Sequence, residues 1–136
     1  MNLSTTTTDN LTEVLEKIID FTERRKKILT RNIEEIHLCD FVPMDFDVPG
    51  FADLMTTAVL EHIRNRRLIL CDSENIRFGQ GGSFECTPIV DEFAKNLLEL
   101  DEKKYLSLQI KKLLENLANN KIAIELLEQK QNGRIT

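Results

Sequence analysis

The stretch RNIEEIHLCDFVPMDFD, residues 31–47, decides the fold, because it begins as a charged helix and ends as an irregular segment. Ile33 and Ile36 have the spacing of one helical face. Pro43 and the next proline restrict the residues before them to extended conformations. We therefore predict that a helix ends here and that an extended connection follows over residues 39–50.

The N-terminal part predicts one long amphipathic helix over residues 10–38. Asn10 with Glu13 fits a capping box at its start, and apolar residues then recur at helical spacing as far as Ile36. Residues 1–9 are polar, which predicts a disordered tail.

The remainder predicts two further helices separated by a loop. Apolar residues at i, i+3, i+4 and i+7 indicate a middle helix over 51–70, and three closely spaced glycines indicate a flexible loop over 71–87. Thr87 and Pro88 fit the cap and first position of a C-terminal helix over 88–131. Its apolar phase shifts near DEKK, residues 101–104, so a bend or break is possible there.

These elements predict a single all-α domain over residues 1–136. Two long amphipathic terminal helices cannot bury their apolar stripes alone, so we expect them to pack as an antiparallel, coiled-coil-like hairpin. The middle helix is expected to be shorter and the loops flexible. The same stripes could instead pack against other subunits.

Composition excludes several classes of function. The formal net charge of −5 argues against nucleic acid as the main partner. No apolar run approaches the roughly 20 residues that a membrane-spanning helix needs. The N-terminus lacks the pattern of a cleaved signal peptide. No nucleophile and base, and no carboxylate pair, form a recognisable motif, so we expect no enzyme activity and no small-molecule substrate.

Candidate ligand sites are all weak. The sequence offers five possible zinc ligands, but they lack the close pairs of a zinc site, so we expect no metal and no cofactor; these are His37, Cys39, His62, Cys71 and Cys86. GQGG at 79–82 lacks the lysine of a phosphate-binding loop and is interpreted as a linker. The acidic residues after Asp40 do not fit the EF-hand spacing.

A basic cluster lies in the middle of the predicted N-terminal helix, at Arg24, Arg25, Lys26, Lys27 and Arg31. A solvated helix face is the simpler interpretation. The alternative is a contact with an acidic partner helix.

The spacing from Arg25 to Asp47 resembles the bacterial flagellar basal-body rod protein family, FlgB. In that family an Arg and a Leu precede Asn-Ile-Ala-Asn-Ala-Asp-Thr-Pro-Gly-Tyr, and a short segment with two aspartates follows. The matching positions in this chain, in the same order and spacing, are Arg25, Leu29, Asn32, Ile33, Phe41, Asp45 and Asp47. VDEFAKN at 90–96 and SLQIKKLL at 107–114 are similar to the C-terminal part of the family.

The resemblance implies a structural rod subunit that packs its helices against itself and against other rod and basal-body proteins. It would be located in the periplasmic rod of the flagellar basal body after export without a cleavable signal peptide. The implied interface residues are Leu29, Asn32, Ile33, Phe41, Phe93, Leu97, Ile110 and Leu117. They could equally fill an intramolecular core.

The alternative function is a soluble cytoplasmic helical adaptor or chaperone that holds a partner helix in a groove. That hypothesis predicts that the C-terminal helix folds back near DEKK. The rod hypothesis predicts that the helix stays long.

Overall fold

The computed structural model describes residues 3–79 and 84–133, with side chains from residue 10 onward. Four helices and four short strands lie in this part of the chain. In chain order they are α1 Leu3–Glu34, β1 Met44–Asp45, α2 Val48–Asn65, β2 Ile76–Phe78, β3 Phe84–Cys86, β4 Ile89–Val90, α3 Glu92–Leu100 and α4 Glu102–Gln131.

The prediction of an all-α fold is wrong, because the strands form two small antiparallel sheets. β1 pairs with β4, with Met44 opposite Val90. β2 pairs with β3 inside the predicted loop 71–87, and residues 80–83 between them lie outside the described residues. The hairpin forms because Ile76 and Phe84 can then bury their side chains in the core.

The predicted single helix over 88–131 is also wrong. Asp91, not Thr87, caps α3 by accepting a hydrogen bond from the N–H of Ala94 at 3.0 Å. Asp101 has an extended backbone (φ −159°); it ends α3 and caps α4. Lys112 Nζ lies 2.6 Å from Asp91 Oδ2. A straight helix would separate these residues by roughly 30 Å, so the chain folds back at Asp101.

The boundaries of α1 differ from the predicted 10–38 at both ends. The helix begins at Leu3, inside the predicted tail, because neither Gly nor Pro interrupts it; residues 1 and 2 lie outside the described part. It ends at Glu34. In a continuing helix the Asn32 carbonyl would accept a hydrogen bond from the N–H four residues later. Here it instead accepts a hydrogen bond from the Tyr105 hydroxyl at 2.7 Å.

α2 begins at Val48, three residues before the predicted start at 51, and ends at Asn65 rather than at residue 70. Asp47 caps it by accepting from the N–H of Gly50 at 3.0 Å. A Cβ at Gly50 would lie 2.1 Å from Asp47 Oδ2, so only glycine leaves room for this cap. Arg66 ends the helix with a positive φ of 56°.

Two packing layers meet on α1. α4 runs antiparallel along it, since Asn32 contacts Gln109 while Thr22 contacts Asn116 farther along α4.

On another side of α1 an aromatic cluster joins this helix to β1, α2 and the β2–β3 hairpin. Phe21 stacks on Phe51 with 3.9 Å between ring centroids, and Phe46 and Phe84 pack around this pair. Phe46 thus anchors the irregular stretch after α1 in the core.

Candidate interaction site

The junction after α1 is built around the Asn32 side chain. Its Nδ2 donates to the Met44 carbonyl at 2.8 Å, and its Oδ1 accepts from the Met44 N–H at 3.2 Å. Nδ2 also donates to Gln109 Oε1 at 3.1 Å. One buried amide therefore fixes α1 to β1 and to α4 at the same point.

An ion-pair network also joins α1, β1 and α4, through Arg25, which lies seven residues before Asn32. Arg25 donates from Nε and Nη2 to the two oxygens of Asp45, both at 2.9 Å. Lys112 lies between Asp45, at 3.3 Å, and Asp91, at 2.6 Å. Burial of Asp45 opposes ionisation, but the hydrogen bonds and charge of Arg25, with Lys112 and the Phe46 N–H, outweigh it and lower the pKa of the carboxyl group.

α4 presents a mostly polar face to α1. Tyr105, Gln109 and Asn116 are fully buried on this face. Asn116 donates to the Thr22 carbonyl at 2.8 Å, and Asn120 donates to the Thr22 hydroxyl at 2.9 Å. Burial, and then the charge of Asp91, raise the pKa of Tyr105 to about 12. The α1–α4 contact thus contains several buried hydrogen bonds.

The apolar residues of α4 lie beside this polar face and are only partly covered. Leu106, Leu113, Ile124 and Leu127 are half-buried. Farther round the helix, three side chains form an exposed surface that we call the ridge: Ile110 (48% exposed), Leu114 (63%) and Leu117 (39%). Contiguous exposed apolar patches are often sites of protein–protein contact, so the ridge is a candidate for such a site.

A second apolar surface, which we call the groove, lies between α2 and α4 with α1 as its floor. Its volume is about 360 Å³. Its lining residues include Leu15 and Ile18 of α1, Ala52 and Met55 of α2, and Asn116, Ile122 and Leu126 of α4. Asn116 Oδ1 is buried and has no hydrogen-bond partner among the described residues.

The eight predicted interface residues do not form one surface. Leu29 and Asn32 are buried inside the fold, and Ile33 and Phe41 are half-buried. On the C-terminal side Leu97 is half-buried. The exposed members are Phe93 (69% exposed), Ile110 and Leu117. Leu29 and Asn32 therefore hold the fold together, whereas the exposed residues of the set all belong to α3 and α4.

Several residues important to this site were missed by the sequence analysis. Arg25 and Asp45 were identified by their spacing, but not as a pair. Tyr105, Gln109 and Asn116 were not identified at all. Their spacing of four and seven residues puts them on one helical face, and that signal was available in the sequence.

The weak ligand candidates are scattered. His37, Cys39 and Cys71 are exposed, and no group of three possible ligands from His, Cys, Asp and Glu occurs among the described residues. His62 is buried beside Asn10; burial, and then the charges of Arg66 and Lys130, lower its pKa. Burial raises the pKa of Cys86 to about 11.

The basic cluster divides between the core and the surface. Arg25 is buried against Asp45, whereas Arg24 pairs with Asp20 at 2.9 Å on the surface. Lys26, Lys27 and Arg31 are exposed. Within the described residues, no helix is both long and apolar enough to cross a membrane.

Comparisons of the chain with protein families, with curated proteins and with solved structures give no match.

Proposed function

We propose that this chain is a structural subunit of the bacterial flagellar basal-body rod, assembling by helix–helix packing with itself and with other axial proteins. One observation carries the proposal: α3 and α4 expose seven large apolar side chains, which are Phe93, Leu100, Ile110, Leu114, Leu117, Ile122 and Leu126. An assembly subunit needs such surfaces, because their burial between chains drives association. The proposed role is structural and involves no catalysis.

The residues that carry the resemblance to the rod proteins support the proposal in a second way. Arg25, Leu29, Asn32 and Asp45 are all buried at the junction of α1, β1 and α4. Their role would be to hold the two long helices in a fixed relation. A subunit repeated along a tube requires this rigidity, since small errors in subunit shape accumulate from copy to copy.

The test is to ask whether the chain is part of the basal body. We expect an epitope-tagged chain, expressed in the flagellated bacterium that encodes it, to co-purify with isolated basal bodies. Leu117→Asp should reduce this co-purification, because it places a charge among the exposed apolar residues. Thr57→Asp is the matched control, since it adds the same charge at an exposed position of α2, outside the exposed apolar residues of α3 and α4.

Two results would contradict the proposal. One is a tagged chain that is folded and abundant but absent from basal bodies. The other is an equal effect of Leu117→Asp and Thr57→Asp on co-purification. Circular dichroism of both purified variants verifies that neither loss arises from unfolding.

The second candidate function is an adaptor that holds a partner helix. The reversal of the chain at Asp101 and the groove between α2 and α4 favour it. An adaptor should remain monomeric at all concentrations and bind one foreign helix. A rod subunit should instead grow in mass as its concentration rises.

A further inference from the structure

We propose that the groove between α2 and α4 binds a medium-chain fatty acid, with its carboxylate at Arg25 and its hydrocarbon chain along α1. The ligand is a free, unbranched monocarboxylate. Three properties of the groove point to it: the size, the shape and the single charged residue of the lining. This site goes beyond the proposed assembly role and does not depend on it.

The groove has the size and shape of a site for one chain-like molecule. Its volume of about 360 Å³ lies near the lower end of the roughly 300–1,000 Å³ that small-molecule sites occupy. Its lining on α1 runs from Leu15 to Arg25, roughly 15 Å along the helix axis. The mean cross-section is therefore roughly 24 Å², which matches one extended hydrocarbon chain more closely than a helix with a diameter of about 10–12 Å.

The two ends of the groove differ in polarity. One end contains Arg25 of α1 and, on α4, Asn116, which contacts the preceding turn of α1. The other end is apolar and is lined by Leu15, Met55 and Leu126. Among the lining residues Arg25 is the one with a formal charge, and none has a carboxylate. An occupant that fits both ends has an apolar body and an anionic group at one terminus.

Arg25 has unused donors for such a group. Its guanidinium has more N–H donors than the pair with Asp45 uses, since Nε and one N–H of Nη2 contact the two oxygens of Asp45. Nη1 has no acceptor among the described residues, and it is not one of the polar atoms sealed inside the fold without a partner. The edge formed by Nη1 and Nη2 is therefore open to a second carboxylate, which an arginine binds in bidentate geometry. Because Arg25 is only 7% exposed, water weakens this contact less than it would at the surface.

The hydrocarbon chain of the ligand covers apolar surface that the fold leaves exposed. Ile122 (54% exposed) and Leu126 (37%) both line the groove. Each additional methylene group that the groove buries should raise the affinity about fourfold. The affinity should therefore rise with chain length and level off once the chain is longer than the groove.

The experiment is calorimetric titration of the full chain with hexanoate, octanoate, decanoate and dodecanoate, each below its critical micelle concentration. Octanol is the uncharged counterpart of octanoate. We expect one molecule of decanoate to bind per chain, with the dependence on chain length described above. Octanol should bind at least about tenfold more weakly than octanoate, because it cannot form a charge-assisted pair with Arg25.

Two variants test the position of the ligand. Ala52→Phe fills the groove from an exposed position on its wall, and it should weaken decanoate binding at least about tenfold, because the ring occupies the space of the buried methylenes. Thr57→Phe is the matched control, since it adds the same ring at an exposed position of α2 outside the lining, and its affinity should equal that of the wild type. Circular dichroism verifies that both variants are folded.

A third variant tests the contact with Arg25 without removing Arg25. Asp45→Asn leaves the guanidinium without its counter-charge, so the carboxylate of the ligand takes the place of Asp45. Decanoate should therefore bind Asp45→Asn more tightly than the wild type and raise its urea midpoint further. An affinity no higher than that of the wild type would refute the contact with Arg25. If Asp45→Asn does not fold, the comparison of octanoate with octanol on the wild type decides this contact.

The inference is overturned if the wild-type chain binds no decanoate, if octanol binds as tightly as octanoate, or if Ala52→Phe and Thr57→Phe bind decanoate equally. Binding of many decanoate molecules per chain would also overturn it, because that is adsorption to exposed apolar surface. An amphipathic helical peptide that binds the wild type when decanoate does not would overturn it and favour the adaptor. Co-purification with basal bodies tests the rod function separately, so either proposal can fail alone.

Discussion

The ion pair between Arg25 and Asp45 should contribute far more to stability than a surface pair of the same chemistry. Asp45→Asn would leave the Arg25 guanidinium buried, only 7% exposed, without a counter-charge. Leaving one partner of a buried pair uncompensated costs about 3–5 kcal/mol. That is a large share of the roughly 5–15 kcal/mol by which a domain is stable, so the variant should unfold at much lower urea concentration.

The chain contains its own control for this prediction. Arg24 and Asp20 are also joined at 2.9 Å, but both side chains are about 40% exposed. Asp20→Asn should cost less than about 1 kcal/mol, because water screens the pair and solvates the remaining charge. The two variants make the same chemical change, and their arginine partners are consecutive residues of α1, so the difference between them isolates the effect of burial.

The assay is urea unfolding followed by circular dichroism, extended to a cycle of Arg25→Met, Asp45→Asn and the double variant. The double variant should lose less than the sum of the single losses, because neither charge is then left alone. Equal losses from Asp45→Asn and Asp20→Asn would refute the reasoning, as would strict additivity in the cycle.

The same pair predicts a pH dependence with a definite sign. The folded-state pKa of Asp45 is lower than the unfolded value of about 3.9. The folded state therefore binds fewer protons than the unfolded state. The stabilisation that Asp45 contributes is complete above the unfolded pKa and is lost as the pH falls toward the folded pKa. The difference between wild type and Asp45→Asn should shrink below about pH 4, which acid titration of the urea midpoint measures.

Three further predictions concern stability. Leu29→Ala should cost about 2–5 kcal/mol in urea unfolding, since the side chain is fully buried. Wild-type stability should fall below about pH 6.5, because the lowered folded pKa of His62 makes the unfolded state bind the proton first. His62→Gln should flatten this fall in a pH series of urea midpoints. Tyr105→Phe should cost about 1–3 kcal/mol by thermal or urea unfolding, because the Asn32 carbonyl then loses a buried donor.

The sequence predicted the positions of the helices better than their ends. Apolar spacing is repeated over many residues, so it locates most of α1 and α4. The ends depend on single contacts with distant residues, which spacing does not encode. Asn32 ends α1 through Tyr105, and Asp101 breaks the C-terminal helix by changing one backbone conformation.

The strands were missed for a related reason. Each has only two or three residues, too few to show an alternating pattern. Their pairing also joins distant parts of the chain, as when Asp45 lies opposite Ile89. The glycine-rich segment after β2 suggested a loop, whereas Ile76 and Phe84 on either side of it are core residues.

The candidate site was predicted only in part, because the sequence shows which residues are apolar but not which face is already occupied. The apolar spacing left open whether the C-terminal stripe would be buried within the fold or against other subunits. In the structure the face with Tyr105, Gln109 and Asn116 is buried against α1, and Ile110 and Leu117 are exposed. Only the structure could separate the interface candidates into core and surface.

This arrangement of α4 is difficult to explain by the stability of a single chain alone. Burying amides such as Gln109 and Asn116 requires hydrogen bonds to offset their lost hydration, and each has one atom without a partner among the described residues. Burial of the ridge leucines, by contrast, would remove apolar surface from water, which is favourable. A helix that directs its polar face to its own chain fixes one packing arrangement through hydrogen bonds. Its outward apolar face then remains free to contact another molecule. That combination is what a repeated subunit requires, since each copy must fold before assembly and still present an apolar surface to the next.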